Sequence, residues 1–333
     1  MSLPLIRLQP WYPGQLGVAG SDVSRGLRWE SAAIVLYVDD NHPNATGDND
    51  GTDPEYPINS IQTAITRLTN FVTATSLSLE GSVIVVANEA TIVESVIIPP
   101  TAPTNCIIYG AGGTAHQPTW TAATAAGTAL TVRQEGWTIE GFTFEVQAAG
   151  TAIQLVEQPA NSYSAYKTTI RNCRFDGLWA GLYGIDFWGA PHRFRIEGCE
   201  FLEFRRADNS AFAICVTDSH HTNPHQGHIL GNYFVDNENH VGSLGGLMGF
   251  NVTLFQGNVF HEGADIPATI MLDLRGGSLG ENIVTGNYFG GTYSNAGGYY
   301  ANALTADSFW VGNIAEATPG TVADNGLTVR VPA

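Results

Sequence analysis

Short alternations of apolar and polar residues dominate the chain, and they recur. The pattern reads "TIEGFTF", "TIRNCRF", "RIEGCEF", "ILGNYF", "FQGNVF", "VTGNYF" and "WVGNIA" along the second half of the sequence. Anchored on Gly141, Asn172, Gly198, Gly231, Gly257, Gly286 and Gly312, successive copies lie 26 to 33 residues apart. An earlier strand, "CIIYGAGG" with Gly110, extends the series upstream. Each copy has an apolar residue two before its glycine position, and six have phenylalanine three after it: Phe144, Phe175, Phe201, Phe234, Phe260 and Phe289. A unit this short cannot bury its apolar face alone, so neighbouring units must stack. Strand, turn and strand with no helical period between them predict coils of a parallel β-helix rather than βαβ units.

The residue after the glycine runs Phe142, Cys173, Cys199, Asn232, Asn258, Asn287 and Asn313. Four successive asparagines at one stacked position predict a ladder in which each amide bonds the next coil, at the strand spacing of about 4.8 Å. The glycine supplies the bend before the ladder, and the phenylalanines stack inside as a second column. These repeats read as structure rather than chemistry.

Helical period appears at one place. In "NSIQTAITRLTNFVTATS", Ile61, Ala64, Ile65, Leu68 and Val72 share a face, with Asn59 or Ser60 as N-cap. One amphipathic helix ahead of a stack of strands predicts a lid over the open first coil. The chain therefore divides into an arm over 1–32, an acidic loop and capping helix over 33–76, and a β-helix over 77–333.

Composition narrows the functions. The 333 residues are 44% hydrophobic and 14% charged, enough for a core and far from a disordered chain. A formal charge of −17, with Lys167 the single lysine, argues against nucleic acid and against an anionic membrane surface. Cys106, Cys173, Cys199 and Cys215 form no CxxC pair and no disulfide framework, so free thiols are expected. "MSLPLIRLQPWYPG" lacks the apolar run of a signal peptide, and no segment reaches the 18 apolar residues of a membrane span. These features predict a protein made in a cytoplasm and not exported by the usual route.

"YVDDNHPNATGDNDGTDPEYPINSIQTAI" followed by "SVIVVANEATIVESVIIP" resembles the opening of right-handed parallel β-helix proteins of the pectate-lyase-like superfamily. Gly51-Thr52-Asp53, Pro57, Ile61 and Ala64 carry that resemblance, in the form common to tailed-phage virion proteins. It implies an all-β chain: a single-stranded, right-handed parallel β-helix of about eight coils capped by one helix. It also implies a virion location and a structural role, as a capsid decoration or a tail spike or fibre subunit. A homotrimer bound to other virion proteins, touching host surface polysaccharide, is the expected assembly. The alternative is a polysaccharide depolymerase, a lyase or a glycoside hydrolase, since the superfamily includes both.

Candidate chemistry is sparse. Asp48, Asp50 and Asp53 lie in an acidic loop whose oxygen density suits Ca²⁺, although the twelfth position after Asp48 is Asn59 rather than glutamate. No other cofactor is expected. His220, His221, His225 and His228 crowd one loop without a metal-ligand spacing. Asp186 in "GIDFWG" and Asp273 in "MLDLRGG" alternate with apolar neighbours and are predicted to point outward, with Arg275 on the face of Asp273. As carboxylates on adjacent faces, the two aspartates are the candidates for a glycosidase pair. Glu203, Arg205, Arg206 and Asp208 lie in the turn region beyond another repeat. Trp179, Tyr183 and Trp188 are candidates for stacking on sugar rings or for a partner interface. In the arm, prolines and glycines deny regular structure while Trp11 and Tyr12 supply anchors for attachment to a neighbouring subunit or virion shell.

Overall fold

The computed structural model describes residues 33–316 and 327–330, apart from 77, 114, 159–162, 190, 207, 209, 218–222, 245–248, 263–269, 275–280, 292–298 and 303–308. Trp11, Tyr12, Arg275, His220 and His221 lie outside the described residues. Among the described residues three sheets run along the molecule, and each coil from Val83–Val86 to Tyr299–Asn302 contributes one strand to each. Sheet A has ten strands, from Val35–Val38 to Phe309–Val311. Sheet B has ten, from Thr91–Val93 to Leu327–Arg330. Sheet C has nine, eight of them on one path from Val96–Ile98 to Tyr299–Asn302. Among the described residues the exception to parallel pairing is a short antiparallel contact of Glu157 and Gln158 with Ser164 and Tyr163.

The core follows from the repeat. Residues two before the glycine position pair across sheet A as Ile139, Ile170, Ile196, Ile229, Phe255 and Val284, all buried. Inside sheet B, Phe144, Phe175, Phe201, Phe234, Phe260 and Phe289 form a stack, with successive ring centroids 4.7 to 5.1 Å apart. Their planes differ by 4° to 9°, so each ring lies flat on the next at the coil spacing. The corner between sheets A and B takes a left-handed residue in each of the seven coils from Gly141 to Gly312. Glycine provides it at most positions, and Asn172 takes the same slot at φ 52° because asparagine tolerates that region.

Beyond that corner runs the asparagine ladder. Asn258 Oδ1 accepts from both the backbone N and the Nδ2 of Asn232, each at 3.0 Å. Asn287 and Asn313 repeat the arrangement on the coils that follow, at 2.9 to 3.0 Å. Each Nδ2 also donates to a strand carbonyl, such as Asn258 to Ile229 O at 2.9 Å. Upstream, Cys173 and Cys199 occupy the same position, and their thiols donate to Ile139 O and Ile170 O in the amide's place. All four cysteines are buried free thiols, with that of Cys106 pushed up to about 12 by burial.

Helix α1, Ile61–Thr75, packs Ile61, Ala64, Ile65 and Leu68 onto the strands of the first coils. Ser60 is its N-cap, accepting from Thr63 N at 3.2 Å. A second cap comes from far along the chain: the Glu94 carboxylate accepts from Ser60 Oγ, Ile61 N and Gln62 N at 2.9, 3.0 and 3.2 Å. A carboxylate there satisfies orphan amides and offsets the positive end of the helix dipole.

Candidate functional site

Asp186 and Asp273 do leave the barrel, since Ile185, Phe187 and Leu272 beside them fill the core. Neither is a solvated surface carboxylate, however: only 3% of Asp186 and 1% of Asp273 is exposed. They also share one face of sheet C rather than adjacent faces. Register runs from Asp186 through Cys215 and Gly242 to Asp273, three strand spacings or about 14 Å. That exceeds the ~5–9.5 Å of a glycosidase pair, which corrects the expectation drawn from their alternation. Asp186 is held by neighbouring coils, accepting from Gln154 Nε2 at 2.8 Å and Thr217 Oγ1 at 2.6 Å. These bonds offset the cost of burying a carboxylate and give it a structural task.

The three aromatics separate. Tyr183 is buried with Phe212 and Cys215 on the outer face of sheet C, and its phenol is raised by burial and by the Cys215 and Asp186 groups. Trp188 is half-buried at the far end of the same strand. Trp179 stands apart, half exposed at the corner between sheets B and C, with the Arg205 guanidinium 5.4 Å from its ring. Arg205 is itself buried and donates from Nε to Asp236 O at 2.8 Å.

That corner collects charge. Leu202 pairs with Val235, so Glu203 and Asp236 follow on adjacent coils, about 5 Å apart along the stack, both with positive φ. Asp176 lies on the coil before, its Oδ1 accepting from Leu178 N at 3.0 Å. Burial raises the Glu203 carboxyl, Asp176 and Asp236 raise it further, and Arg174 and Arg205 oppose them. Glu238 sits behind, accepting from Arg206 N and Ala211 N and raised by burial. Of this group the sequence reading picked out Glu203, Arg205, Arg206 and Asp208. Asp236 was legible as the residue five after its repeat glycine, the offset that also gives Glu203.

In the acidic loop the carboxylates serve their own backbone. Asp50 Oδ1 accepts from Thr52 N and Oγ1, each at 2.9 Å, and Asp53 Oδ1 accepts from Glu55 N at 2.9 Å. These are Asx turns. Among the described residues there is no group of three or more His, Cys, Asp or Glu side chains arranged to hold a metal ion. His228 is exposed on sheet A, while the His225 ring lies tilted against that of His192, with centroids 3.4 Å apart. No helix among the described residues is long and apolar enough to cross a membrane.

No protein-family model matches the chain, and no curated protein matches it in sequence. Solved structures do match. The tailspike protein of E. coli bacteriophage HK620, in complex with a pentasaccharide, is 14% identical with a TM-score of 0.50. The match covers 93% of this chain but 66% of the tailspike chain, and a point mutant of that tailspike matches equally. An alginate lyase from Paenibacillus is 14% identical with a TM-score of 0.47, over 80% of this chain and 96% of that one. The chain folds as a parallel β-helix, an architecture it shares with that phage tailspike.

Proposed function

We propose that this chain is a β-helical virion subunit of the spike type that touches host surface glycan at the corner between sheets B and C. The reading rests on one observation: Trp179 is exposed over a buried arginine, beside carboxylates held on successive coils. An indole face stacks on the C–H face of a sugar ring, and carboxylates accept from its hydroxyls. A chain of net charge −17 repels polyanions, so the glycan is uncharged. The tailspike with the same fold, solved with a pentasaccharide, supports the same reading. The subunit works as a homotrimer fixed to other virion proteins through residues 1–32, with Trp11 and Tyr12 as anchors. Calorimetric titration with neutral host surface polysaccharide tests the glycan contact. Binding is expected for the unmodified chain and at least tenfold weaker binding for Trp179→Ala; equal binding by both sinks the proposal.

A second reading has its own support. Glu203 and Asp236 follow one another on adjacent coils, a placement open to a pair of glycosidase carboxylates, and a raised carboxyl suits the acid. On that reading the protein is a depolymerase, and Glu203→Gln abolishes release of reducing ends while leaving glycan binding intact.

A further inference from the structure

The outward columns beside the asparagine ladder change character halfway along the molecule. On sheet A, Thr138, Thr169, Arg195 and His228 are in register and lead into Leu254, Ile283 and Phe309. On sheet B, Thr143, Arg174 and Glu200 lead into Tyr233, Val259, Tyr288 and Ile314. Both flanks of one edge turn apolar within one coil of each other, sheet B at Tyr233 and sheet A at Leu254, while the core beneath keeps its pattern. Exposure is large: 45% for Ile283, 62% for Phe309 and 43% for Tyr233. A solvated face has no reason to make that change on two sheets at once.

We propose that these flanks pack against further copies of this chain, with the sheet A flank of one copy on the sheet B flank of the next. Three observations choose this occupant. Both flanks rise by one coil, about 4.8 Å, so a parallel neighbour meets each row with a row of the same pitch. The shapes match: the sheet A flank holds a hollow of about 320 Å³ lined by Val252, Leu254 and Ile283 together with the polar His228, Thr253 and Glu281, and the sheet B flank presents exposed Tyr233, whose ring and hydroxyl suit such a mixed lining. Charge matches too. Copies carrying −17 each repel, and the two columns hold no carboxylate from Tyr233 and Leu254 onwards, whereas Glu200 stands in the sheet B column just before. The edge between the flanks is open, since a Cβ built on Gly231, Gly257, Gly286 or Gly312 meets nothing within 4 Å. Two complementary flanks per copy give a heterologous contact that closes into a ring with the ladder edge towards the axis. The proposal names the surface behind the self-association in the reading above and rests on it in that respect; it is independent of glycan contact.

Sedimentation equilibrium of the full chain tests it, with Ile283→Glu and Tyr288→Glu as flank variants and Thr169→Glu as control. The unmodified chain and the control are expected to associate, and the flank variants to associate at least tenfold more weakly with unchanged circular dichroism. Should a glutamate variant fail to fold, the double variant Ile283→Cys/Tyr288→Cys replaces it, and mild oxidation is expected to link chains covalently. A monomeric unmodified chain overturns the proposal together with the homotrimer. An oligomer that survives both flank variants, or no inter-chain link in the cysteine variant, overturns this surface alone. Deleting residues 1–32 and finding the Ile283→Cys thiol newly reactive would overturn it in favour of the chain's own arm. Glycan titration of a monomeric flank variant keeps the two readings apart.

Discussion

At the residue scale, stability concentrates where one side chain serves two coils. Asn258 Oδ1 takes two donors from Asn232, and its Nδ2 serves Ile229 O and Asn287 Oδ1. Truncation strands several buried polar groups at once, so Asn258→Ala is expected to cost about 3 kcal/mol in denaturant unfolding. A substitution that left the midpoint unmoved would mean that water replaces the rung. His192 sets a pH dependence. Its folded pKa is lowered from 6.5 to about 4 by burial, with the neighbouring His225 and the Arg193 charge adding to it. Between pH 6.5 and 4 the unfolded chain takes up a proton that the folded ring refuses. This contribution to stability is therefore present above pH 6.5 and lost as pH falls through that window. Thermal unfolding across the window is expected to fall less steeply for His192→Gln than for the unmodified chain; parallel curves would rule the ring out.

At the element scale, helix α1 depends on a residue 33 positions from its first turn. Glu94 binds two helix amides and the N-cap hydroxyl, so Glu94→Ala is expected to lower stability by about 1–2 kcal/mol. Glu94→Gln retains acceptors but loses charge and is expected to fall between, and differential scanning calorimetry separates the three. The helix itself was legible, because Ile61, Ala64, Ile65 and Leu68 recur at its period, and these are the residues it buries. Its long-range cap was not. Glu94 lies in a polar turn between Thr91–Val93 and Val96–Ile98, and no local pattern distinguishes it from a solvated glutamate.

At the scale of the whole molecule, the coils are bonded to one another through three sheets and the asparagine column. Since Asp50 and Asp53 cap their own turns, chelation by EDTA is expected to leave the melting temperature unchanged, and a fall of several degrees would reveal a Ca²⁺ site. The sequence by itself determined the coil repeat, the inward phenylalanine column, the bend before it and the offset of the asparagines. A solenoid turns equal offsets from each repeat glycine into one column in space, so a local pattern becomes a global position. Tertiary structure alone decided what covers each outward face. Alternation sent Asp186 and Asp273 outward, yet both are buried, and they stand three strands apart. It likewise decided that Glu203 and Asp236, 33 residues apart in the chain, are neighbours beside Arg205 and Trp179. Corners of unequal length bring these groups together, and burial depends on whatever packs over a sheet rather than on the period of the strand beneath.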